Sequence, residues 1–299
     1  MAWRGLHISE PARLSLKASR VKIERDGDPV DFPLEDVAWI ILDTQQVTAT
    51  AALMAACMEQ TIPLVVCDGR HMPSGVLLPF HQYFRQGETA RLQTRLGAPL
   101  KKRLWQAIVR AKVERQADTL ARTGSPDAET LRAMARHVKS GDPDNVEARA
   151  ARYYWQRLFA DFQRADEADA RNGLLNYGYA VVRAALARAL VARGLLPAFG
   201  IHHDSVQNAF NLADDLIEPL RPLVDLHAWH HVRGTWHDDP PTALALDDRR
   251  AMAALLTSDV CLAGDIVSFL AATDKSAAAL VRAMRRADVK ELQFPQADL

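Results

Sequence analysis

Cysteine is scarce in this 299-residue sequence: there are three, Cys57, Cys67 and Cys261, and no Cys-x-x-Cys pair among them. An odd count this low argues against a disulfide framework, and the missing pair argues against a thiolate zinc site. The apolar settings "AACME" and "LVVCDG" read instead as buried free thiols in a reducing compartment. Net charge is missing too. Lys and Arg number 37 against 37 Asp and Glu, so global charge names no partner and any electrostatic argument must be local. No apolar run approaches the ~18 residues of a membrane span. The opening "MAWRGLHISEPARL" holds no apolar stretch long enough for a signal peptide. The expected location is therefore the cytoplasm, with no membrane partner. Internal repeats and low-complexity segments are also lacking.

What remains is a globular composition, 48% hydrophobic and 25% charged, long enough for one large domain or two ordinary ones. The first part is strand-like. "ARLSLKASRVKI" alternates with period two around Leu14, Leu16, Val21 and Ile23 and breaks at the turn composition "DGDP". "VAWIILD" (37–43) and "IPLVVCD" (62–68) are short β-branched runs that predict buried strands, with a short helix, "TATAALMAACMEQ", between them. "GRHMPSGVLLPFHQYF" has the Gly and Pro content of a linker. Beyond it the pattern turns helical over 101–123, from Ser125-Pro126, over 146–162, over 172–194 with Gly194 as a stop, over 205–235 and over 247–287. The expected fold is α+β: a small β-strand-rich N-terminal domain (1–75), a linker (76–90) and a larger all-α domain (91–299).

One stretch concentrates possible chemistry: "GIHHDSVQNAFNLADDLIEPLRP", residues 200–222. Asp215 and Glu218, at i and i+3, share a helix face with Cβ atoms roughly 5–6 Å apart. Such a pair is either a solvated acidic face or a site for a hard divalent cation, Mg²⁺ or Mn²⁺, with a histidine ligand favouring Mn²⁺. Asp214 points about 100° away around the same helix and is the poorer ligand, while Leu212, Leu216 and Ile217 define the buried flank. Of the adjacent His202 and His203, at most one can serve one metal. His227 and His231, at i and i+4, have zinc-compatible spacing but lack the glutamate of a metalloprotease box, because Ala228 follows His227; a structural helix surface is the plainer reading. Charge is also segregated. Residues 85–122 carry ten basic and three acidic side chains, whereas 203–218 carries four acids and no Lys or Arg. A basic helical surface beside an acidic pocket suits a polyanion whose phosphate approaches a carboxylate-held cation. Lys101, Arg103, Arg110 and Lys112 are the candidate contacts to the backbone of such a polyanion. Asn176 and Tyr177 are candidate supports of the site, with core packing the alternative for the tyrosine.

The stretch "GIHH…FNLADDLIEPLRP" resembles the signature of the CRISPR-associated spacer-acquisition integrase, the large subunit of the adaptation complex. "DPDNVEARAARYYW", "NGLLNYGYAVVRAALARALVARGLLPAFGIHHD" and "LWQAIVRAKVERQA" fit as well. The N-terminal "WRGLHISEPARLSLKASRVKI" looks like the version found in type II systems. The resemblance runs to about residue 235. It implies a catalytic and metal-binding set of Glu147, His203, Asp215 and Glu218, with Glu147 about 56 residues before His203. In that reading Glu147, His203 and Asp215 hold Mg²⁺ or Mn²⁺, and Glu218 is an additional or outer carboxylate. His203 is left open between metal ligand and general acid. The resemblance further implies an endonuclease/integrase acting on double-stranded DNA, joining the 3′-hydroxyl ends of captured fragments to the CRISPR repeat. It implies a homodimer made through the N-terminal domains, and a small second adaptation subunit in a hetero-hexamer-like complex.

Overall fold

The computed structural model describes residues 2–80, 83–237 and 240–298. The strand-rich part holds β1 (Arg4–Ile8), β2 (Ala12–Lys17), β3 (Arg20–Glu24), β4 (Val30–Pro33), β5 (Val37–Leu42), β6 (Val47–Ala49), α1 (Ala51–Glu59), β7 (Leu64–Cys67) and β8 (Pro73–Val76). The helical part holds α2 (Gln86–Thr94), α3 (Ala98–Arg122), α4 (Ala128–Arg136), α5 (Val146–Leu158), α6 (Ala170–Val191), α7 (Asn211–Ile217), α8 (Arg221–His231) and α9 (Leu246–Ala254). The hairpin β9 (Asp259–Leu262) and β10 (Asp265–Ser268), then α10 (Phe269–Arg286) and β11 (Gln296–Ala297), complete it.

Two four-stranded sheets form the first part, in the orders β1-β5-β7-β8 and β4-β3-β2-β6. The alternation read around Leu14 and Val21 becomes the antiparallel β2–β3 pair, with Leu14 opposite Ile23 and Leu16 opposite Val21. Strand β5 is buried along its whole length, as its unbroken apolar run requires. Val37, Ile40 and Leu42 join the core between the sheets, while Ala38, Trp39 and Ile41 join the core of the helical part. Strand β5 thus belongs to two cores. Polar contacts also cross there: Asp43, fully buried, pairs with Arg249 of α9 at 3.0 Å, and His7 Nε2 meets the Tyr177 hydroxyl at 3.2 Å.

The second part is mostly helical, with two differences from expectation. The span 247–287 is not continuous helix, because β9 and β10 interrupt it and pair with β11 in a three-stranded sheet. Ala263 and Gly264 both adopt positive φ, 54° and 93°, the requirement of a tight hairpin turn. The signal was the β-branched "DVCLAGDIVS", masked by helical neighbours on both sides. Residues 205–210 form turns, and helix begins only at Asn211. Gly194 terminates α6 as expected: its φ is +75°, and the Leu195 amide donates back to the Leu190 carbonyl at 3.0 Å.

Candidate active site

Helix α3 runs through the middle of the helical part and turns one face to the 200–218 stretch. Lys101, Trp105, Ile108 and Lys112 lie along that face at i, i+4, i+7 and i+11. Ile108 is fully buried, and Trp105 and Lys112 nearly so. Trp105 stacks on the His202 ring at 4.1 Å and meets the His203 ring edge-on at 5.8 Å. Lys101 Nζ donates to the Gly200 carbonyl at 3.3 Å. The loop bearing the histidines is therefore held from beneath by α3.

Asp215 organises the same loop from α7. Its Oδ2 accepts from the backbone amides of Ile201 and His202, at 2.5 and 3.2 Å. Its Oδ1 accepts from the His203 amide at 3.0 Å and lies 2.8 Å from His203 Nδ1. Gly200 permits this wrapping, since a Cβ there would strike the His203 carbonyl and stand 2.7 Å from Asp215 Oδ2. The hydrogen bond to Asp215 raises the His203 pKa above the ordinary histidine value, against its partial burial. With Nδ1 engaged by the carboxylate, Nε2 is the ring nitrogen left for other chemistry. Both oxygens of Asp215, expected from spacing to be a metal ligand, are turned to the loop it shapes.

Glu147 and Glu218 are brought together instead. Glu147 opens α5, whose first amides are capped by Asp142: Val146 N donates to Oδ1 at 2.9 Å and Glu147 N to Oδ2 at 3.0 Å. Glu218 lies in the turn between α7 and α8, 6% exposed. Both carboxylates reach the Lys112 ammonium, Glu147 Oε1 at 2.5 Å and Glu218 through Oε2. Glu218 Oε2 is buried, and the Lys112 ammonium is its partner. Arg221 Nε donates to the other oxygen, Oε1, at 2.8 Å and stacks over Tyr179 at 4.5 Å. Burial would raise the Glu218 pKa, but Lys112 and Arg221 outweigh it and hold the carboxyl below its usual value. One layer deeper, Asp225 accepts from the hydroxyls of Tyr154, at 3.0 Å, and Tyr179. Burial pushes Asp225 up to about 7 in spite of those bonds.

Other expected residues lie elsewhere. Lys112 is not on a DNA-facing surface; it is buried between α5 and the Glu218 turn because its side of α3 faces inward. Arg103 and Arg110 are exposed, donating to the carbonyls of Ala287 at 3.5 Å and Ala135 at 3.3 Å. Tyr177 points to His7 at the sheet, and Asn176 accepts from Arg164 at 2.5 Å; neither touches the site. Asp214 pairs with Arg183 at 2.6 Å, as its angle around the helix suggested. His227 and His231 pin α8 to α9 through the Ala251 carbonyl at 2.9 Å and Asp248 at 2.7 Å, the structural reading of that pair. Among the described residues no three His, Cys, Asp or Glu side chains converge as a metal would require. Sequence reasoning missed Trp105, Lys112 and Arg221 as members of the site. The i, i+7 spacing of Trp105 and Lys112 on a helix already shown to pack inward was the available signal.

The family model for CRISPR associated protein Cas1 matches residues 6–240. The chain belongs to the Cas1 family. A CRISPR-associated endonuclease Cas1 from Neisseria meningitidis is 39% identical over 298 residues, spanning 99% of this chain and 97% of the relative. A Cas1 endonuclease from Saccharolobus solfataricus is 27% identical over 74% of the chain and 73% of its own length. Among solved structures, a casposase bound to its integration product aligns with a TM-score of 0.75 at 17% identity, covering 97% of this chain and 93% of that one. A Cas1 protein from Thermotoga maritima gives 0.72 at 17% identity, over 94% and 97%. A Cas6-RT-Cas1–Cas2 complex gives 0.73 at 18% identity, over 99% of this chain and 36% of that one. These structural likenesses establish a Cas1 fold, strand-rich first and mostly helical after.

Proposed function

We propose that this Cas1-family chain is a metal-dependent DNA endonuclease and integrase that joins 3′-hydroxyl ends of captured DNA to a CRISPR repeat by transesterification. The observation that carries the proposal is the convergence of Glu147 and Glu218 on one cationic point, beside a histidine oriented by a buried carboxylate. Carboxylate oxygens and an imidazole are donor types that Mn²⁺ or Mg²⁺ accepts, and the three side chains would have to draw closer to hold one ion. Glu147 and Glu218 each turn one carboxylate oxygen to a single point, which the Lys112 ammonium fills. A histidine whose Nδ1 is held by a carboxylate is the usual form of a metal-binding imidazole. Glu147, Glu218 and His203 would hold the ion, with Asp215 positioning His203. Such an ion would supply charge neutralisation at a phosphoryl group undergoing in-line displacement. Around it, the chain's own residues orient and support: Asp215 keeps Nε2 of His203 available, Trp105 and Lys101 fix the histidine loop, and Arg221 anchors Glu218.

Double-stranded DNA, both captured fragment and repeat, is the substrate in this reading. Arg103 and Arg110, exposed on α3, are the candidate backbone contacts that remain from the original set, with Lys101 at the loop. The chain pairs with a second copy through its strand-rich part and assembles with a small second adaptation subunit in a hetero-hexamer-like complex. The relatives support this by name: an endonuclease, a casposase with an integration product, and a Cas1–Cas2 complex. The test is an integration assay with a repeat-bearing supercoiled plasmid, a labelled DNA duplex and the partner subunit. Joining is expected with Mn²⁺, not in chelator, and not by His203→Ala. Joining that survives His203→Ala contradicts the site; its absence from wild type favours a non-catalytic DNA scaffold.

A further inference from the structure

Two carboxylates built to share a divalent cation repel each other whenever it is away, and the burial of Glu218 limits the solvent that could screen them. In this chain a side chain fills that gap. The Lys112 ammonium stands 2.5 Å from Glu147 Oε1 and touches Glu218 Oε2, with the lysine side chain 9% exposed and that of Glu218 8%. The two cations on Glu218 differ in kind. Arg221 holds Oε1 through a planar guanidinium that keeps its charge. Lys112 holds Oε2 from a flexible four-carbon stem, whose root is fixed in α3 among Ile108, Val109 and Val113. The stem can swing while the helix stays put.

Resting on the reading that Glu147 and Glu218 hold a divalent cation, we propose that Lys112 is a resident place-holder, keeping the two glutamates converged in the metal-free protein and competing with the divalent cation for them. An ammonium and a dication on the same two carboxylates repel, so Lys112 must withdraw for the cation to be held. A DNA phosphate near the site offers the withdrawn ammonium a new anionic partner. DNA and the divalent cation therefore strengthen each other's binding, and the free protein binds the cation weakly. Lys112 is a positioning residue in this account, acting through Glu147 and Glu218.

The experiment is Mn²⁺ binding to the full-length chain without DNA, read from the free-ion paramagnetic signal, for wild type, Lys112→Met and Lys112→Arg. Methionine keeps the apolar stem and removes the charge. Lys112→Met is expected to bind Mn²⁺ about tenfold more tightly or better. Its melting temperature should lie below wild type in chelator and rise more with Mn²⁺. Lys112→Arg should stay weak. Equal or weaker Mn²⁺ binding by folded Lys112→Met overturns the proposal. Wild type supplies a second measurement that needs no variant: amine acylation read by mass spectrometry. Saturating Mn²⁺ without DNA should raise labelling of Lys112 relative to the exposed Lys139 and Lys275; unchanged labelling overturns it. Strand joining on the same preparations separates the two readings. Joining that needs no divalent cation refutes both, whereas metal-dependent joining with unaltered affinity in Lys112→Met refutes the place-holder alone.

Discussion

Asp215 accepts from three successive backbone amides and faces His203 Nδ1, so a single buried carboxylate sets both the loop and the ring. Asp215→Asn turns one of those acceptors into a donor aimed at backbone N–H groups. Strand joining is expected to fall by about 10- to 100-fold, with stability lower by about 1–3 kcal/mol in denaturant titration. Glu218→Gln should lose joining at least as severely, and the ratio of the two separates positioning from metal holding. His7 supplies a pH prediction. Burial pushes it down to about 4, against the pull of Asp43. Below its unfolded value of about 6.5 the unfolded chain takes up a proton that the folded chain refuses. Stability therefore falls as pH drops from about 6.5 towards 4, and thermal melts of His7→Gln should show a flatter pH profile across that window. Sequence spacing made Asp215 and Glu218 legible as partners on one face, but not which of them meets the loop and which meets Glu147. That division depends on the path of residues 200–203, which Gly200 allows and spacing does not encode. Lys112 was misread for a related reason: counted within a basic run it looks like surface, while its place on the inner stripe of α3 is set by packing.

At the scale of elements, the loop between α6 and α7 is held from two sides, by Asp215 of α7 and by Lys101 and Trp105 of α3. Gly200→Ala would drive a methyl group into the His203 carbonyl and Asp215 Oδ2. The loop must then open, and the expected outcome is loss of joining with a lower melting temperature; an active, fully stable Gly200→Ala would show that the loop relaxes freely. Most elements were legible because their apolar period matched their environment. Strand β5 is an unbroken apolar run, β2 and β3 alternate, and α6 ends at its glycine. The hairpin β9–β10 was not, because four-residue strands give too few periods to stand out between α9 and α10, and because a positive-φ alanine at Ala263 carries no turn signature of its own. Its strands are closed off by β11 from near the chain's end, a pairing of residues about 35 apart that local reading cannot supply.

Across the whole molecule, β5 links the two cores, and the buried Asp43–Arg249 pair ties the strand-rich part to α9. Removing one partner strands a buried charge, so Arg249→Met is expected to cost about 3–5 kcal/mol in chemical unfolding. The same change should leave the metal requirement of any residual joining unaltered, because the pair lies at the sheet and not among Glu147, Glu218 and Lys112. The neutral total charge hides how the molecule is laid out. Exposed basic side chains and buried acids share α3 and its neighbours, which is the arrangement an integrase needs to bring phosphates to a carboxylate-held cation. The most direct measurement of that claim is strand joining at a scissile phosphate carrying a single phosphorothioate stereoisomer, in Mg²⁺ and in Mn²⁺. In one stereoisomer joining should be poor in Mg²⁺ and restored by the more thiophilic Mn²⁺; joining that proceeds equally in both ions and in chelator would contradict it.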